Sequence, residues 1–560
     1  MSIYKAIGLR AVNSYQYISP LTSLGVKIIL DQFNEKSIDK FLPAILERKI
    51  DVNTKFNTRN HKILKGKDDN GDYEYRTVTF PSPFNALLES YYFYNLDLDK
   101  VNSSKSVYSY KLNKANNESF HVFDYYMKNY LQMNHDIAKQ LSKNRNNGVL
   151  ILDIKSFYPS IDKDIAKTII KERNLNTNIL EDSISSNEGV TIGSNFSHLV
   201  AQEFLKNFDL SMVNKYHEDY FRYVDDILII CKESERTQIV NEISSRLPKG
   251  LKINESKLDF MDSDYWLDNI DQFNSKNRLD NFFNIVKTYL RYNFDDIDII
   301  DKKLKLNDIY IPTFRLEKEI STSTFFRLFK WLERFGNRKF LSSRKWTVDE
   351  FISYIREQKS FHLDGIQSTI ERYRTSKKTK EMHNRFCSQK IKYHVNFLYY
   401  LLDNEELSEI ANKLPKDDAF LNILATIEAI VHRDFDLAIK CGAKTVATVS
   451  ELWISRGYEP INLDLSSTDY SMFVDSIIYL ILMDVVTVDY AVAKERLNQD
   501  SYSYLASVLN LDIDESQLND FNKEIRSLFS SYKKHELKDK LISRLDKNET
   551  IFSIENSSNY

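Results

Sequence analysis

Phe221-Arg222-Tyr223-Val224-Asp225-Asp226-Ile227-Leu228-Ile229-Ile230 decides how the rest of the chain is read. Two carboxylates sit side by side between short runs of β-branched, aromatic and apolar residues. That is the pattern of a β-hairpin whose turn carries charge. Adjacent acids at a tight turn repel each other and cost stability unless a cation lies beside them. A divalent metal is the usual answer, because it takes hard oxygen ligands.

A second stretch fits the first. Gly148-Val149-Leu150-Ile151-Leu152-Asp153-Ile154-Lys155-Ser156-Phe157-Tyr158-Pro159-Ser160-Ile161 reads as a buried strand with one acid at its end, which turns Asp153 toward the hairpin. Three carboxylates meeting at strand ends are a ligand set for two cations about 3.5–4 Å apart, the arrangement of in-line phosphoryl transfer.

The 560 residues suggest about three or four domains. A hydrophobic content of 42% supports large cores, and 34 Tyr with 34 Phe supply rings for cores and for base stacking. A net charge of −3 does not advertise a nucleic-acid binder, although local patches can still bind one. Cys231, Cys387 and Cys441 are far apart, which argues against a disulfide framework or zinc knuckle and fits a reducing cytoplasm. Met1 to Arg10 lacks the apolar core of a signal peptide. The run from Ile477 to Val486 contains Asp484 and is too short to span a bilayer, so no membrane association is expected.

Residues 1 to about 50 read as largely helical. His61–Leu64 and Tyr73–Phe80 flank Asp69-Asn70-Gly71, a hairpin signal, and a helix should follow Pro81-Ser82-Pro83 from about Phe84. Ser106 to Leu112 reads as a further strand and Phe120 to Leu141 as a helix. After Pro312, helix-period apolar patterns recur, as at Phe325/Leu328/Phe329/Leu332, Val395/Leu398/Leu401/Leu402, Leu421/Leu424/Ile427/Ile430 and Phe473/Ile477/Leu480/Ile481. They suggest an all-α region, with a solenoid of helix pairs as one form of it. No zinc finger, His-Asn-His nuclease or ribonuclease H carboxylate set is recognisable.

Asp153 with Phe157 and Tyr158 resembles motif A of reverse transcriptases, and Tyr223-Val224-Asp225-Asp226 resembles their motif C. Gly189-Val190-Thr191-Ile192-Gly193-Ser194-Asn195-Phe196-Ser197 resembles motif B, and Gly250-Leu251-Lys252-Ile253-Asn254-Glu255-Ser256-Lys257 resembles motif D. The resemblance covers about residues 60–260. It implies an α+β fold of right-hand polymerase fingers and palm, followed by the all-α region. The expected boundaries are 1–144 for N-terminal helices and fingers, 145–265 for the palm, 266–312 for a connection of unassigned structure, and 313–560 for the helical domain with a thumb-like basic region. A polymerase core followed by a long helical domain is similar to the bacterial abortive-infection, defence-associated reverse transcriptases of the AbiK-like group. That group implies protein-primed, often untemplated DNA synthesis, a homo-oligomer, and a DNA product attached to the protein. Thr191-Ile192-Gly193 stands where many relatives have Pro-Gln-Gly.

The resemblance also assigns roles. Asp153 and Asp225 would bind two Mg2+ ions, with Mn2+ an alternative, and the carbonyl of Ile154 would complete one site. Asp226 would be a secondary ligand. Tyr158 would lie under the sugar and favour dNTPs. Gly193 and Ser194 would let the backbone approach the nascent pair. Arg76 and Lys67 would hold the triphosphate, with Lys62 a weaker match, and Lys257 would protonate pyrophosphate. Basic residues interleaved with rings suggest a single-strand path. They are Arg327, Lys330, Arg334, Arg338, Lys339, Arg344 and Lys345, then Arg372, Arg374, Lys377 and Lys378. The bland reading of both stretches is a solvated basic helix face. No priming residue can be picked from the sequence. The competing functions are a templated reverse transcriptase of a retron or mobile element using a partner non-coding RNA, and a binding scaffold on a dead core. Tyr158 disfavours an RNA-dependent RNA polymerase.

Overall fold

The computed structural model describes residues 3–32, 44, 56–68, 70–96, 101, 104–113, 121–124, 126–173, 175, 189–270, 276–315, 346–375 and 381–543. Helices α1 (Ile3–Tyr15) and α2 (Pro20–Gln32) open it. They precede the antiparallel hairpin β1 (Thr58–Lys67) and β2 (Tyr73–Pro81). The Asp68 carboxylate accepts from the Asn70 and Asp72 amides at 2.9 Å each and so holds the turn. Pro83 at the first turn and the Ser82 hydroxyl as N-cap start α3 (Pro83–Asn95).

A four-stranded antiparallel sheet of order β4-β5-β3-β6 follows. Its strands are β3 (Gly148–Asp153), β4 (Tyr220–Tyr223), β5 (Asp226–Cys231) and β6 (Asp259–Asp262). Central β3 is buried along its whole length, which explains its continuous apolar run. Val149 and Ile151 pack with Met133, Ile137 and Leu141 of α4 (Tyr126–Lys143). Leu150 and Leu152 lie in the main core with Phe204, Leu205 and Phe208. After β3 come α5 (Phe157–Ser160) and α6 (Lys163–Glu172). The long α7 (Asn195–Tyr216) leads back to β4. Beyond β5 the chain forms α8 (Arg236–Arg246), and beyond β6 it forms α9 (Ser263–Ile270), α10 (Lys276–Tyr292) and α11 (Ile297–Lys305).

From residue 346 the described chain is helical. It runs through α12 (Val348–Thr375), α13 (Glu381–Leu398), α14 (Asn404–Lys413) and α15 (Leu421–Val431). Helices α16 (Asp436–Cys441) and α17 (Ala443–Arg456) follow. The only strands in this part, among the described residues, are the two-residue parallel pair β7 (Ile461–Asn462) and β8 (Val486–Thr487) around α18 (Val474–Leu482). The rest is α19 (Tyr490–Arg496), α20 (Gln499–Leu509), α21 (Asp520–Phe529) and α22 (Lys534–Ile542). Ile427, Ile430, Ile477, Leu480 and Ile481 of the helix-period patterns are core residues. Phe325, Leu328, Phe329 and Leu332 lie outside the described residues.

This helical region grips the hairpin. His61, 1% exposed, places Nδ1 3.1 Å from Asp475 Oδ2. Arg59 pairs with Asp500, donates to Ser501 Oγ at 2.9 Å and lies over the Tyr504 ring. Gly66 approaches Asp418 so closely that a Cβ there would stand 2.6 Å from its carboxylate, and the Lys67 amide donates to that carboxylate at 3.0 Å. Lys27 of α2 donates to the Lys540 and Ser543 carbonyls at 3.2 and 2.6 Å.

Several expectations need correction. Ser106–Leu112 forms no strand. Val107 makes a parallel bridge to Arg222 and Leu112 an antiparallel one to Phe123, and the left-handed φ of 46° at Tyr110 breaks the extended run between them. The helix read from Phe120 is α4, which begins at Tyr126. The connection after residue 265 contains helices α10 and α11. Trp266 of α9 is 2% exposed and packs edge-on against Phe386. Cys231, Cys387 and Cys441 are free and buried. Among the described residues no helix is long and apolar enough to cross a membrane.

Candidate active site

Antiparallel register places Asp153 directly opposite Asp226, with Asp225 in the two-residue turn between β4 and β5. Like charges directly opposite on paired strands are destabilising. Burial, then the Asp226 and Asp153 carboxylates, pushes the Asp225 pKa up to about 7. Burial also raises Asp226, and the Arg385 guanidinium opposes that rise.

The turn itself is held by buried polar groups. Val224, a β-branched residue, adopts a left-handed φ of 54°. Such a conformation persists only where the surroundings over-determine it. The Val224 amide donates to Ser109 Oγ at 2.9 Å, and its carbonyl accepts from Arg222 Nη1 at 2.7 Å. Arg222, 1% exposed, also makes two 2.7 Å bonds to Asp209 and one of 3.1 Å to Gln202. The Ile154 amide donates to the Asp225 carbonyl at 3.1 Å, which ties the first carboxylate's loop to the turn.

Two cations already face these acids. Lys257 Nζ lies 3.3 Å from Asp153 Oδ1, and Asn254 Nδ2 donates to Oδ2 at 3.1 Å. Arg385 of α13 reaches both Asp226 oxygens at 3.2 Å. Among the described residues no group of three His, Cys, Asp or Glu is spaced to hold a metal ion. The donor set still fits divalent cations. It consists of hard carboxylate oxygens, with Asp225 raised first by burial and then by its acidic neighbours, and a divalent charge would relieve that cost.

The Gly189–Ser197 stretch forms a turn into α7. Gly193 has φ 119°, and a Cβ there would stand 2.6 Å from Val78 and 2.7 Å from the Thr79 carbonyl of β2. The Thr79 amide donates to the Ile192 carbonyl at 2.7 Å, so the hairpin and this turn meet directly. Ser194 is the N-cap of α7. Buried Glu89 of α3 accepts from Ser194 Oγ at 2.5 Å, Asn195 Nδ2 at 2.9 Å and the Phe196 amide at 2.9 Å, and from the Tyr15 hydroxyl. A carboxylate there also satisfies the positive end of the helix dipole.

The structure thus brings Asp153, Ile154, Asp225, Asp226 and Lys257 to one end of the sheet, with Tyr158 on α5 just beyond β3, Ser194 capping α7 and Gly193 before it. Arg76 lies inside β2, exposed and three residues from the Thr79 contact. The exposed Lys67 places its ammonium 5.3 Å from the Tyr73 ring centroid. Lys62 lies 6.0 Å from the Tyr75 ring. Arg372 and Arg374 are exposed on α12, and Arg374 donates to the Lys413 carbonyl at 2.8 Å. Arg327, Lys330, Arg334, Arg338, Lys339, Arg344, Lys345, Lys377 and Lys378 lie outside the described residues. Sequence reasoning missed Glu89, Ser109, Asp209 and Arg222, and it read Arg385 as one of the basic residues of the second ring-interleaved stretch, whereas its guanidinium stands on Asp226. Only Arg222, a lone charge inside an apolar strand, carried a local signal.

No curated protein matches the chain. Residues 85–291, which include all three carboxylates, match the family described as reverse transcriptase (RNA-dependent DNA polymerase), so the chain carries an RNA-directed DNA polymerase domain, a nucleotidyltransferase.

Proposed function

We propose that the chain is a DNA polymerase of reverse-transcriptase type that primes synthesis from its own side chain and acts in antiphage defence. The observation that carries the polymerase reading is the register of Asp153 against Asp226 with Asp225 in the intervening turn. On this reading the sheet is the palm and the β1–β2 hairpin the fingers. Asp153, Asp225 and Asp226, with the Ile154 carbonyl, would hold Mg2+, which supplies Lewis-acid activation of the attacking hydroxyl and the leaving phosphates. Asp153 and Asp225 orient that hydroxyl in line with the α-phosphate. Lys257, beside Asp153, donates a proton to departing pyrophosphate. Tyr158 stands under the sugar, and Arg76 and Lys67 meet the triphosphate.

Protein priming is supported by the helical region, which touches both the hairpin, through Asp475, and the acids, through Arg385. A tyrosine or serine hydroxyl delivered by that region can replace a primer 3′-hydroxyl, because only an oxygen nucleophile held in line is required. The family's RNA-dependent character favours a second reading, a templated enzyme copying a partner RNA.

One experiment separates them. Purified protein is incubated with labelled dNTPs and boiled in detergent, then treated separately with protease and with ribonuclease. Label that stays on the protein band until protease digestion is the expected result. Label released by ribonuclease, or never on the band, transfers the assignment to the RNA-templated reading. A defence role is tested by phage plating on cells carrying the wild-type chain or Asp225→Asn.

A further inference from the structure

Tyr158 does not stand alone. It sits on α5, entered through Ser156 with a left-handed φ of 49°. Its hydroxyl lies 2.7 Å from Nδ1 of His198, one turn into α7. The two rings meet edge-on, with centroids 5.8 Å apart. His198 in turn stacks flat on Tyr110, with centroids 3.9 Å apart and planes 12° from parallel, and meets Phe123 edge-on at 6.0 Å. Tyr110 is fixed by its neighbour. The Ser109 carbonyl accepts from Gln202 at 3.2 Å, and Ser109 Oγ accepts from the Val224 amide. A chain of contacts therefore runs from the acidic turn through Ser109, Tyr110 and His198 to the Tyr158 hydroxyl.

Desolvation among these rings pushes the His198 pKa down to about 3, so the imidazole is neutral at ordinary pH. With its proton on Nε2, Nδ1 is an acceptor and the Tyr158 hydroxyl is the donor.

We infer that His198 is a positioning residue for sugar selection: it holds the Tyr158 ring by its hydroxyl in the one orientation that leaves no room for a 2′-hydroxyl. This deepens, and rests on, the reading of Tyr158 as the ring beneath the nucleotide sugar. The half-buried Tyr158 also meets the Phe157 ring, with centroids 5.2 Å apart, and the His198 bond adds a directional restraint at its hydroxyl. One buried hydrogen bond biases a rotamer equilibrium by about five- to tenfold.

The test uses the full chain and compares kcat/KM for dATP with that for ATP. This ratio cancels a general loss of activity. Tyr158→Phe and His198→Phe should each lower the ratio about five- to tenfold, chiefly through a lower KM for ATP. The double variant should be no worse than either single, because both remove the same bond. His198→Gln keeps an acceptor and should recover part of the ratio, which a merely space-filling histidine would not. Tyr158→Phe deletes a single oxygen, and it carries the test if His198→Phe does not fold. If Tyr158→Ala loses discrimination while Tyr158→Phe and His198→Phe keep it, the positioning role is overturned and the gate stands. If Tyr158→Ala also keeps it, the gate falls, and the inference with it.

Discussion

At the scale of the residue, the acidic turn is a place where the chain holds unfavourable groups together. Asp225 and Asp226 crowd each other and Asp153, and Val224 takes a conformation that β-branched residues avoid. On the proposed two-cation reading, Asp225→Asn should abolish nucleotide incorporation and leave the fold intact, because losing one ligand charge there would remove several kcal/mol of transition-state stabilisation. Incorporation at the wild-type rate by the folded variant would remove Asp225 from the catalytic set. Arg222→Ala is a different kind of change. It leaves the buried Asp209 carboxylate without its bidentate partner and the Val224 carbonyl without its donor. Breaking a buried pair from one side costs about 3–5 kcal/mol, so urea denaturation should show a loss of that order. The three acids were legible in the sequence, because charge inside a strand pattern is conspicuous. Glu89, Asp209 and His198 were not, since one polar residue on a helix looks the same whether it meets solvent or a buried partner.

At the scale of the element, short-range signals translated well and long-range ones did not. The turn between β1 and β2 and the Pro-led start of α3 depend on residues a few positions apart. The Tyr108-Ser109-Tyr110 alternation suggested a strand, but these residues cross the sheet edge once and then serve the acidic turn. Helix α13 gives the clearest case of what periodicity hides. Its apolar face marks it as a packed helix, while Arg385 on it reaches an aspartate far away in sequence. That guanidinium stands on Asp226 where an entering cation would bring its own charge. The pair is partly open to solvent, with side-chain exposures of 32% and 24%, so screening keeps its worth to about 1 kcal/mol. Arg385→Ala should therefore tighten metal binding by about fivefold. Calorimetric titration of the nucleotide-free protein with Mg2+ reads this directly. Unchanged or weaker binding would show that Arg385 does not compete with the cation.

At the scale of the molecule, the helical region joins the hairpin to the sheet. Burial alone would raise the Asp475 carboxyl, but His61 and Arg59 outweigh it and hold it below the usual carboxylate range. A carboxyl depressed in the folded state stabilises the fold above its unfolded pKa of about 3.9, and that contribution is lost as pH falls through the folded value. Asp475→Asn should thus cost about 3–5 kcal/mol near neutrality. Its deficit against wild type should shrink once urea denaturation is repeated below about pH 4. A deficit independent of pH would mean that shape rather than charge holds the hairpin. The Lys27 contacts to Lys540 and Ser543 have a kinetic consequence. Helix α2 is buried from Pro20 to Ile29, and α21 and α22 contribute to its cover. During synthesis this apolar helix is made 513 positions before its Lys540 partner on α22. Such non-local closure is slow, and surface that waits for it is prone to aggregation. The nascent chain therefore carries an incompletely covered greasy helix until α21 and α22 are made, so demand for a holdase should fall once α22 is complete.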